Sequence, residues 1–182
     1  MNNILILIIS IVVLLIIFLI TLIVISKSKI QDELLCVEMA NEDINNSLKQ
    51  KYKLFKEIVE FIKNNLSIKE DAFNEFLNFD TKECDKEDLI KILDKTTFEI
   101  NEYVDNYDDL LKNKDFLELK RKLYHTEMNF EAMIDYYNNK LVIYNKLKDH
   151  MPTSFATKFF QFDEYKEITI DKKEISRLVN LN

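Results

Sequence analysis

Apolar and polar positions along the chain fall into two regimes. From Ile4 to Ile25 the sequence ILILIISIVVLLIIFLITLIVI is apolar everywhere except Ser10 and Thr21. At about 1.5 Å per residue, a helix over this stretch spans roughly 33 Å, enough to cross a hydrocarbon core of about 30 Å. The two hydroxyls can bond back to helix carbonyls and do not obstruct a lipid-embedded helix. Beyond Lys27, apolar residues recur every three or four positions. One run reads Ile44, Leu48, Tyr52, Phe55, Val59, Ile62, Leu66; a second reads Leu89, Leu93, Thr96, Ile100, Tyr103, Tyr107, Leu110. The longest reads Phe116, Leu119, Leu123, Thr126, Phe130, Met133, Tyr137, Leu141, Tyr144, Leu147. Each is a stripe down one face of an amphipathic helix, and no alternation of period two is sustained.

The breaks between stripes carry capping signals. Ser67-Ile-Lys-Glu70 fits a capping box that would open a short helix holding Phe73, Phe76, Leu77 and Phe79. Asn113 or Asp115 is placed to cap the third long helix. Short connections between long helices favour antiparallel neighbours. The predicted fold is therefore all-α: an N-terminal transmembrane helix, then an elongated antiparallel bundle of three long helices plus short ones. Residues 1–26 form the anchor, with the span at about residues 4–25, and residues 27–182 the bundle. The first bundle helix, about Lys27 to Leu66, can continue directly from the span.

Composition narrows the chemistry. The 182 residues include no glycine and one proline, which argues against tight-turned β folds and removes every glycine-rich phosphate cradle. A net charge of −7 excludes nonspecific nucleic-acid binding as an expected role. Lys120-Arg121-Lys122 lies among acidic residues and reads as a solvated face. Cys36 and Cys84 have no metal-ligand spacing and read as reduced thiols. A cleaved signal peptide would carry a basic start, a shorter apolar core and small residues at the cut, none of which is found here. Lys27 and Lys29 follow the span, so the positive-inside rule places the N-terminus outside and residues 27–182 in the cytoplasm.

The third helix carries an ordered set of motifs. These are Asn113-Lys-Asp-Phe116-Leu117-Glu-Leu119, Leu123-Tyr-His-Thr126-Glu127, Tyr137-Asn138 and Tyr144-Asn145, then Pro152 and Phe159-Phe160-Gln-Phe162. In the first helix, Ala40-Asn-Glu-Asp-Ile44 leads into Leu48-Lys49-Gln-Lys51-Tyr52-Lys-Leu54. In this order, and behind an N-terminal anchor, the motifs resemble the LemA family over nearly the whole chain. The family's tryptophan is Asn41 here, its aspartate Asn45, and its mid-helix proline Lys56. The resemblance implies a membrane-anchored helical bundle with no established enzymatic activity. Through the gene neighbourhoods of relatives, it also implies a membrane metallopeptidase as a candidate partner.

No catalytic, cofactor or metal site is expected from the residues. His125 and His150 lack the spacing of metal ligands, and Glu99, Glu102, Asp105, Asp108 and Asp109 do not converge on a concave site. Glu127 lies beside the stripe position Thr126, roughly level with Lys49 and Lys51, and is expected to pair with one of them and set the helix register. Tyr103, Tyr107, Tyr137 and Tyr144 fall on stripes, and Asn138 and Asn145 accompany the last two. Pro152 should stop the third helix, with Thr153 or Ser154 capping a short new one. Phe155, Phe159 and Phe162 would then share a face beside Phe160. If the first helix leaves the membrane, the second returns and the third leaves again, residues 152–162 become a lid at the membrane-distal end, followed by a tail at 163–182. The function expected is a noncatalytic scaffold or adaptor for protein partners. The alternative is a regulator or substrate adaptor of a membrane metallopeptidase or envelope-stress system.

Overall fold

The computed structural model of the chain describes residues 2–69, 71–81 and 84–170. Helix α1, Asn2–Asn65, is a single run of 64 residues. No glycine or proline interrupts it, and Lys56 supplies the amide that a proline there would lack. Within its apolar part, Ser10 Oγ donates to the Ile6 carbonyl at 2.9 Å and Thr21 Oγ1 to that of Ile17 at 2.8 Å. The apolar side chains from Ile4 to Ile20 are 44–66% exposed, and none is buried among the described residues. The helix is long and apolar enough there to cross a membrane.

The other elements are α2 (Asn74–Leu77), α3 (Lys86–Asn106), a 3-10 turn at Leu110–Lys112, α4 (Lys114–Asp149) and α5 (Ser154–Thr157). The described residues are all helix, turn or irregular chain, with no strand. They divide into two compact units. One combines residues up to Asn41 with Asp135–Ile168, and the other contains Glu42–Ile134.

In the 42–134 unit, the chain after α1 folds back along that helix. Lys63 Nζ donates to the Ala72 carbonyl at 3.4 Å, and Tyr52 Oη reaches the carbonyls of Phe76 and Phe79 at 2.8 and 3.3 Å. The Phe76 ring, 1% exposed, lies 4.6 Å from that of Tyr52 and 6.4 Å from that of Phe55. Phe73 adopts φ 63°, a left-handed conformation that an aromatic residue tolerates poorly, and its ring is buried beside Tyr103. The short helix thus starts at Asn74, later than Ser67 predicts; Glu70, the other half of that capping box, lies outside the described residues.

This fold-back sets the direction of α3. Its first turn, at Lys86 and Leu89, lies by Asn45 and Leu48 of α1, whereas Tyr103 reaches Phe73 beyond the end of α1. Helix α3 therefore runs parallel to α1 rather than returning, and α4 is the helix that returns. Phe116 packs on Phe61 at 5.7 Å and Glu127 meets Lys51. The start of α4 follows the sequence signal: Asn113 Oδ1 accepts from the amides of Asp115 and Phe116 at 2.9 and 3.3 Å. Tyr107 lies past the end of α3 and is exposed, so the helical stripe stops before it rather than running through it.

In the other unit α4 is again antiparallel to α1, with Lys140 Nζ 3.1 Å from Glu33 Oε2. Its core comprises Ile30, Val37, Ala40, Tyr137, Leu141, Tyr144 and Ala156. Replacing Phe76 with alanine should lower stability by about 3–5 kcal/mol, whereas Phe98→Ala, at a position 57% exposed, should change it by less than about 0.5 kcal/mol. Urea unfolding of the full chain in detergent, followed by far-UV circular dichroism, measures both.

Candidate functional site: a buried ion pair and a tyrosine–asparagine clamp

Lys51 and Glu127 lie on the buried stripes of their helices. On α1 the stripe includes Ile44, Leu48, Lys51, Phe55 and Ile58, with Ser47 also buried; on α4 it includes Phe116, Lys120, Leu123, Glu127, Phe130 and Ile134, so Lys120 is buried rather than part of a solvated face. The two groups meet at 2.7 Å, with side chains 3% and 5% exposed. The Lys51 ammonium also stands 5.0 Å from the centre of the Phe130 ring and 6.0 Å from that of Phe55. Among the described residues neither carboxylate oxygen of Glu127 completes a directed hydrogen bond, so ionic attraction to Lys51 is its compensation for lost water. Lys49 is exposed and takes no part. Thr126 is only partly covered, its hydroxyl donating to the Lys122 carbonyl, so the buried stripe passes through Glu127 instead.

The second constellation lies on α4 in the other unit. Tyr137 Oη donates to the Lys166 carbonyl at 2.9 Å, and Tyr144 Oη donates to that of Asp163 at 2.7 Å. Asn138 makes a two-way bond with Ile168, donating from Nδ2 to its carbonyl at 2.9 Å and accepting its amide on Oδ1 at 3.0 Å. Two turns separate the tyrosines, and one face of α4 thereby holds the extended segment 163–168. Asn145 is exposed. Sequence reasoning places Tyr137 and Tyr144 on the apolar stripe and reads 163–182 as a tail. It misses the clamp because backbone carbonyls are the acceptors. The available signal is the repeated Tyr-Asn pair seven residues apart.

Burial, then the neighbouring Asp163 carboxylate, pushes the Tyr144 phenol up to about 12 from an ordinary 10.0. Burial raises Tyr137 as well, with Tyr165 adding to the effect.

The Pro152 region differs from expectation in position and detail. Helix α4 ends at Asp149, before Pro152, and a short α5 follows. Thr153 does not cap α5; its hydroxyl meets the carbonyls of Leu147 and His150 at 2.6 and 2.8 Å, satisfying the end of α4. Phe155, Phe160 and Phe162 are half-buried and Phe159 is exposed, because α5 stops at Thr157 and the predicted common face is lost. The Phe160 ring lies 4.3 Å from Lys27 Nζ, two residues beyond Ile25. Residues 152–162 therefore sit beside the end of the apolar stretch, not at the end of the unit remote from it as expected.

A cavity of about 280 Å³ in the 42–134 unit is lined by Asn45, Leu48, Lys49, Thr81, Cys84, Asp85, Lys86 and Leu89. Among the described residues no three His, Cys, Asp or Glu side chains are grouped to hold a metal ion. Cys36 and Cys84 are free and partly exposed. His125 is exposed beside Tyr124, and the His150 ring bonds the Lys146 carbonyl at 3.1 Å.

A family model described as LemA family matches residues 40–182, which include the ion pair and the clamp. No curated protein and no solved structure matches the chain.

A phenol with a raised pKa favours the folded state while protonated. The contribution is complete below pH 10 and is lost as pH rises through about 12. Tyr144→Phe should remove the last-titrating component, near pH 12, from a tyrosinate absorbance titration and flatten the alkaline fall in stability over that window. An unchanged titration would place the phenol elsewhere.

Proposed function

The chain belongs to the LemA family, and from that premise we propose that it is a single-pass membrane protein acting as a noncatalytic scaffold for protein partners. In this reading α1 crosses the bilayer through its exposed apolar stretch and continues as the first helix of the cytoplasmic part. Lys27 and Lys29, directly after that stretch, favour this orientation.

The observation that carries the scaffold reading is the outer face of α1 beyond the span. Leu35 and Met39, one turn apart, are 56% and 58% exposed. On α4 of the same unit, Tyr136 and Ile143 are also exposed. Isolated apolar residues on a surface are ordinary, but pairs at helical spacing form a ridge that a partner helix can cover. The clamp in the same unit then serves to hold its part of α4 rigid.

A photo-crosslinking amino acid at Met39, in the full chain in native membranes, should give discrete adducts, whereas the same probe at the exposed Lys53 should not. Recovery of a membrane metallopeptidase at Met39 would narrow the role to protease adaptor. The same adduct pattern at both positions would contradict a defined partner face.

A further inference from the structure

We propose that the corner between α4 and α5 is a second, interfacial contact with the bilayer, in which Met151 and Phe159 enter the boundary between headgroups and acyl chains. The inference rests on the reading of α1 as a membrane span. Met151 is 70% exposed and Phe159 66% exposed, more than any other large apolar side chain beyond the apolar stretch among the described residues. Both belong to a segment that returns to the end of that stretch, through the contact of Phe160 with Lys27.

The depth of the corner can be read from α1. Its apolar side chains are bare as far as Ile20, but Leu22 and Ile23 are half-buried and Ser26 is 2% exposed. Cover therefore begins inside the apolar stretch, which continues to Ile25. A segment meeting a spanning helix at this level cannot stand clear of the bilayer surface. It lies at the boundary region, where apolar faces of interfacial elements penetrate about 5–10 Å.

The surrounding chemistry suits that environment. Lys27 and Lys29 follow the apolar stretch on α1, and Lys158 directly precedes Phe159. Lys158 Nζ lies 5.4 Å from the Phe155 ring, and Lys27 Nζ 4.3 Å from that of Phe160. Lysines that keep their stems on apolar surface and their heads at phosphate level are favoured at a membrane interface. Thr153 satisfies the terminal carbonyls of α4 internally, so turning the corner at that depth leaves those groups bonded.

The chain contains no tryptophan, so single substitutions serve as reporters. Phe159→Trp, Met151→Trp, Leu14→Trp and Phe98→Trp would each be made in the full chain and reconstituted into phosphatidylcholine–phosphatidylglycerol vesicles. Lipids would be brominated either near the headgroup or near the chain end. The proposal expects F159W and M151W to be quenched by the shallow bromines and protected from aqueous acrylamide. L14W should be quenched by the deep bromines, and F98W by acrylamide alone. Acrylamide quenching of F159W and M151W, with L14W still quenched by lipid, would overturn the interfacial contact and leave the span intact. Loss of lipid quenching at all three would overturn both readings. Protection of F159W and M151W from acrylamide without any bromine quenching would overturn the proposal in favour of contact between copies of the chain.

Discussion

Lys51 and Glu127 constrain this protein more than any apolar contact does. An apolar stripe tolerates sliding, since one leucine replaces another with little penalty when helices shift by a turn. A buried charge does not. Moving either residue along its helix would leave an ion among Phe55, Phe130 and their neighbours without its counterpart, at a cost of about 3–5 kcal/mol. Well-packed apolar residues in place of the pair can match its stability, so its contribution is to specificity of register. That register sets which residues of α1 and α4 in the 42–134 unit face each other.

The direction of the helices follows from the chain between α1 and α3. A short connection would have turned α3 back beside α1. Instead Ala72, Phe76 and Phe79 lie along α1, held by Lys63 on the Ala72 carbonyl, by the Tyr52 phenol on the carbonyls of Phe76 and Phe79 and by the Phe76 ring. The traverse consumes one pass of the bundle, leaving α3 parallel to α1 and α4 as the returning helix. In the other unit, the Pro152 segment lies beside Lys27, and the clamp holds segment 163–168 on α4.

Much of the fold is legible in the sequence for definite physical reasons. The exposed apolar stretch, the uninterrupted α1, the Asn113 cap and the end of α4 before Pro152 are local, and each is decided by side-chain chemistry within a turn or two. Two features resist local reading. The direction of α3 depends on whether an irregular segment packs or merely connects, and Phe73, Phe76 and Phe79 look the same in either case. The clamp depends on acceptors that belong to the backbone, so the residues of 163–168 carry no mark of it. Glu127 lies between these cases. Spacing alone allows Thr126 or Glu127 on the buried face, and only the presence of Lys51 on the facing helix makes the charged residue the better choice.

A double-mutant cycle on this pair tests the central claim most directly. Lys51→Met, Glu127→Gln and the double variant would be compared by denaturant unfolding of the full chain in detergent. Each single change should cost about 3–5 kcal/mol by leaving its partner buried and uncompensated, with the double variant well short of the sum. Single effects that add to within about 0.5 kcal/mol would show that the two charges do not depend on one another, and the account of the helix register would be wrong.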